Sequence, residues 1–79
     1  MLTKDEEIKE HLFSKDPDFR RLAEEHRSHD IKLDELQDRP YMTNQDQLEE
    51  IDIKKKKLQL KDQMSRMIEE YRQTQTAHQ

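Results

Sequence analysis

Two histidines three residues apart, His26 and His29, are the chain's best candidates for a reactive or metal-binding pair. On a helix, positions i and i+3 point the same way, so both imidazoles can reach one metal ion. Zinc asks for about four ligands. The chain has no cysteine, so His11, Glu25, Asp30 or a symmetry mate would have to complete the set. Two histidines at helical spacing are common and weakly specific. The simpler reading puts His26 in an apolar seam with its polar edge hydrogen-bonded, and His29 at the seam's margin, with no metal and no cofactor. A histidine in such a seam favours its neutral form, so association through it would weaken as pH falls through about 6.

The densest charge run is Lys54, Lys55, Lys56 and Lys57. With Lys61, Arg66 and Arg72 it could contact phosphates. Four successive helical residues, however, spread over about 300–400° of rotation and make no flat patch. Glu49, Glu50, Asp52 and Asp62 flank the run, and no aromatic residue is interleaved with it. A solvated surface that pairs with the acidic stretch around Glu24, Glu25, Asp30 and Asp34 accounts for it more simply, and nucleic-acid association is the second reading. Met42, Met64 and Met67 could form an adaptable surface, though methionines at helical spacing more often fill a core. Tyr41 and Tyr71 read as packing residues near the two ends of a hairpin. Ser14, Ser28 and Ser65 have no base or oxyanion context, and no glycine-rich loop exists to cradle phosphate. The sequence predicts no enzyme.

Helices carry most of these residues. Of 79 residues, 43% are charged and 29% hydrophobic, a composition that approaches the disordered class. Periodicity argues the other way. Phe19, Leu22, His26, His29, Leu33 and Leu36 are spaced 3, 4, 3, 4 and 3, which is the spacing of a heptad seam. With no glycine and two prolines, long uninterrupted helices are favoured. Thr3 and Glu6 can form a capping box for a first helix over about residues 4–13, with Ile8, Leu12 and Leu2 or Phe13 on its apolar side. Asp16 then suits an N-cap and Pro17 a first helical position, so a second helix runs over about 17–37. Arg39-Pro40 ends it. Thr43, Asn44 and Asp46 offer caps for a third helix over about 44–72, with a frayed tail over 73–79.

The third helix carries two apolar stripes. Leu48, Ile51 and Leu58 form one, expected to pack near the hairpin turn. Ile53, Leu60, Met64, Met67 and Tyr71, with Ile68 flanking, form the other, expected along the open end or on another subunit. An antiparallel hairpin in simple register would set Leu36 by Leu48, Leu33 by Ile51, Leu22 by Leu60 and Phe19 by Met64. The fold expected is therefore all-α: a short N-terminal helix plus a coiled-coil-like helical hairpin, in one domain. Its packing and assembly residues are Phe19, Leu22, His26, Leu33, Leu36, Ile51, Leu58, Leu60, Met64 and Met67. Domains below about 70–80 residues usually need a staple, and without cysteine the staple expected is self-association into a dimer or higher homo-oligomer, with or without another protein partner.

Net charge is −4, and residues 1–38 hold seven Lys/Arg against twelve Asp/Glu while residues 39–79 hold eight against seven. The two halves would attract each other in a hairpin. No apolar run approaches the roughly 20 residues of a membrane span, and the N-terminus lacks the apolar run of a signal peptide. A soluble, cytoplasmic protein is expected.

Phe19-x-x-Leu22-x-x-x-His26 leading to Leu33-x-x-Leu36 resembles the first half of the YdcH-like family of small bacterial proteins. Lys57-Leu58-Gln59-Leu60-Lys61-Asp62-Gln63-Met64, followed by Arg66-Met67, resembles its second half, and Asp16-Pro17 before the phenylalanine fits as well. The likeness covers about residues 2–71. The family usually has leucine where this chain has His29, so the seam here is locally more polar. The resemblance implies a self-associating helical hairpin and no chemistry, since the family is a domain of unknown function.

Overall fold

A computed structural model describes residues 3–77, with side chains through residue 74. Leu2 and the end of the expected tail, His78 and Gln79, lie outside the described residues. Three helices follow in order: α1 over Lys4–Lys15, α2 over Pro17–Gln37 and α3 over Asn44–Ala77. The helix α3 alone has 34 residues, about 50 Å at 1.5 Å per residue, and the molecule is a rod of 55 × 23 × 20 Å.

Local chemistry sets each boundary. The Thr3 hydroxyl accepts from the Glu6 N–H at 3.2 Å and starts α1. Asp16 then serves both flanking helices. Its own N–H donates to the Leu12 carbonyl at 2.7 Å, closing α1, and its carboxylate accepts from the N–H groups of Asp18 and Phe19 at 2.9 and 3.2 Å, opening α2. With Pro17 at the first position, a single residue separates the two helices. At the other end, Asp38 to Thr43 form the turn. No stop signal follows Arg72, and α3 continues to Ala77 rather than fraying from Gln73; the Thr74 hydroxyl donates to the Glu70 carbonyl inside it at 2.9 Å.

The helices α2 and α3 lie side by side as a hairpin, and α1 folds back over its open end. Ile8 and Leu12 of α1 are buried with Phe19 of α2 and Ile68 of α3, and Met64, Met67 and Tyr71 pack against them. At the turn end, Leu33 and Leu36 bury Ile53. Leu22 and Leu60 are also buried between the helices. Phe13 does not join Ile8 and Leu12; it is exposed. Among the described residues, every buried side-chain nitrogen or oxygen has a hydrogen-bond partner.

The expected register near the turn is overturned. Leu36 and Leu33 do not face Leu48 and Ile51, which are exposed; they meet Ile53. The reason lies in the rotation of α3. Asp46, Ile53, Leu60 and Met67 are seven residues apart and share one face, and Asp46 on that face is held by the turn. Ile51 and Leu48 lie 160° and 140° around the helix from Ile53 at 100° per residue. The larger apolar set, Ile53 to Tyr71, takes the inside, where it removes more surface from water.

Candidate functional site

With the longer stripe inside, the shorter one faces out. Leu48, Ile51 and Leu58 are 67%, 51% and 61% exposed. Ile51 and Leu58, expected among the packing residues, make no part of the buried clusters. Their spacing is again that of a seam: 48, 51, 55 and 58 are separated by 3, 4 and 3. Lys55 fills the remaining position, and among the described residues it has no ionic partner. A lysine at one seam position lowers stability and favours particular registers.

The lysine run does not act as a unit. Lys54 pairs with Glu50 at 3.2 Å and Lys56 with Asp52 at 3.0 Å, both within α3. Lys57 crosses to Asp30 of α2. Lys32 of α2 reaches Glu49 of α3 at 3.0 Å. Of the four acidic residues expected to meet the lysines, Asp30 does so. Lys57 holds the Asp30 carboxyl below its ordinary value, chiefly by its hydrogen bond and then by its charge, with His26 adding to the effect against partial desolvation.

The two histidines part company. Nδ1 of His26 lies 3.6 Å from Asp30, and its ring lines a cleft with Lys9, Lys61 and Ser65. His29 lines a different cleft, with Glu25, Lys56, Gln59 and Gln63. The residues 61 and 65 lie on one flank of α3 and 56, 59 and 63 on the other, so the geometry does not converge both rings on one ion. His11 lines another cleft again, stacked at a tilt on Tyr71 with centroids 5.1 Å apart. Both His26 and His29 are half-buried, and they sit between the two apolar clusters, making the middle of the seam polar. Among the described residues, no group of three or more His, Cys, Asp or Glu is placed to hold a metal.

Two polar devices go beyond what the sequence predicts: the Arg20 clamp on α1, and the burial and Arg39 pairing of Asp46, which the sequence offers only as a cap. The Arg20 guanidinium donates to the carbonyls of Phe13 and Ser14, both at 2.9 Å, and so closes the C-terminus of α1. It also lies 5.6 Å from the centre of the Phe13 ring, a cation–π distance. Asp46 is buried at 8% exposure and accepts from Arg39 at 2.8 Å and from the Thr43 N–H at 3.2 Å. The Thr43 N–H bond, then that from Arg39, holds its carboxyl below the usual value. The signal for Asp46 was present as Thr43-x-x-Asp46, a capping-box spacing; Arg20 had none.

No helix among the described residues is long and apolar enough to cross a membrane. No curated protein and no solved structure matches the chain significantly. The chain belongs to the family described as "Protein of unknown function (DUF465)", which matches residues 19–68 and is the family of YdcH-like small bacterial proteins. The match spans the α2–α3 hairpin from Phe19 to Ile68 and leaves α1 outside.

Proposed function

We propose that this member of a family of unknown function is a non-catalytic, self-associating helical module, working by presenting the outer face of α3 to a second copy or to another protein. One observation carries the reading: Leu48, Ile51 and Leu58 form a seam-spaced apolar stripe on the side of α3 away from its own core. A thin hairpin with two small clusters gains stability by covering that stripe. The assembly residues are then Leu48, Ile51, Lys55 and Leu58, while Phe19, Leu22, Leu33, Leu36, Leu60, Met64 and Met67 hold the protomer together and His26 borders its seam. A reducing, cytoplasmic setting fits a chain without cysteine.

Sedimentation equilibrium over a range of concentrations tests it. The average mass rises above 9.7 kDa with concentration if the reading holds, and a single monomer mass at every concentration overturns it. Three of the four lysines in the run are tied to carboxylates, which weighs against the nucleic-acid reading. A mobility assay across a salt series separates the two, since phosphate binding falls steeply with salt.

A further inference from the structure

The cleft beside His26 gathers side chains from all three helices, two of them lysines. Lys9 comes from α1, His26 from α2 and Lys61 from α3, with Ser65 also lining the cleft and Met64 and Ile68 as its apolar side. Its volume is about 280 Å³, and no carboxylate lines it. Neither Lys9 nor Lys61 has an ionic partner among the described residues. In a chain of net charge −4, two free ammonium groups and an imidazole collected around a carboxylate-free cleft form a local field that attracts anions.

The His26 imidazole has a carboxylate beside it. Nδ1 faces Asp30 at 3.6 Å, and Asp30 is itself anchored by Lys57. With Nδ1 on the Asp30 side, Nε2 is the ring's remaining polar atom. The groups facing His26 are thus Asp30 on its own helix, Lys9 from α1 and Lys61 from α3. We infer that this cleft binds the phosphate group of a small molecule, with Lys9 and Lys61 neutralising its charge, His26 and the Ser65 hydroxyl as hydrogen-bond partners of its oxygens, and Met64 and Ile68 contacting an apolar body. Charge-assisted bonds from separate side chains suit a dianion with three free oxygens.

An NMR titration of the full chain with inorganic phosphate and, separately, with phenyl phosphate tests this. Saturable shifts at the His26 ring and the Ser65 amide are expected. Lys9→Gln and Lys61→Gln each weaken binding about tenfold, the loss of one charge-assisted contact. Lys55→Gln, an equal charge change on the outer face of α3, leaves binding unchanged. Phenyl phosphate binding more tightly than inorganic phosphate identifies a phosphomonoester with an apolar body; equal affinity identifies the bare phosphate group. Shifts that fail to saturate, or a Lys55→Gln variant weakened as much as Lys61→Gln, overturn the site. Neither result bears on self-association through α3, which sedimentation reads separately.

Discussion

Thr43 and Asp46 cap each other. The Thr43 N–H donates to the Asp46 carboxylate at 3.2 Å, and the Asp46 N–H donates to the Thr43 hydroxyl at 3.0 Å. This reciprocal box satisfies two donors that the start of α3 would otherwise leave open. It also fixes the face of α3 that turns inward, because Asp46 lies one heptad before Ile53. Replacing Thr43 with Ala should cost about 1 kcal/mol, a drop of several degrees in melting temperature for a domain of this size. Thr43→Ser, which keeps the hydroxyl, should melt close to wild type. Thermal unfolding followed by circular dichroism measures both.

Acid should weaken the fold through two aspartates. Asp46 and Asp30 both have folded pKa values below the ordinary 3.8. A lowered folded value means that the unfolded chain takes up the proton first, so each group contributes stability above about pH 4 and loses it as pH falls through the folded value. Denaturant midpoints between pH 6 and pH 2 should therefore fall most steeply below pH 4. Asp46→Asn should be less stable at neutral pH and show a shallower acid decline; an equally steep decline in the variant would place the effect elsewhere.

Ile51 and Ile53 are two residues apart and face opposite ways. Ile53 is buried against Leu33 and Leu36, so Ile53→Ala should destabilise the protomer by about 2–5 kcal/mol. Ile51→Ala, at an exposed helical position, should shift it by no more than about 0.5 kcal/mol at concentrations where the protein is monomeric. Urea unfolding of the two variants at low concentration makes the comparison.

Arg20 is the clamp on α1. Its guanidinium makes both bonds in a fixed fork geometry, to the carbonyls of Phe13 and Ser14, which lysine lacks. Both Arg20→Gln and Arg20→Lys should speed amide hydrogen exchange in α1 and leave the α2–α3 hairpin protected. Equal protection of α1 in wild type and variants would remove the clamp.

The helices were legible because their signals are local. Thr3, Asp16 and Pro17 cap and break the chain where composition says they should, and the spacing from Phe19 to Leu36 leaves one face for the core. The register was not legible, because it depends on a rotation that two stripes on α3 contest. Leu48 and Ile51 lie closer to the turn and so looked like the partners of Leu36 and Leu33. The inner face instead follows Asp46, whose local box with Thr43 was legible but whose bond to Arg39 across the turn was not. The histidine pair illustrates the same limit. Spacing places His26 and His29 near one another on α2, but only the position of α3 between them shows that their rings line separate clefts.

Sedimentation of a double variant, Ile51→Glu with Leu58→Glu, beside wild type decides whether the outer face of α3 drives assembly. The double variant should stay as helical and as thermally stable as the wild-type monomer but keep a mass near 9.7 kDa at concentrations where wild type assembles. A double variant that assembles as wild type does would contradict a role for the outer face of α3.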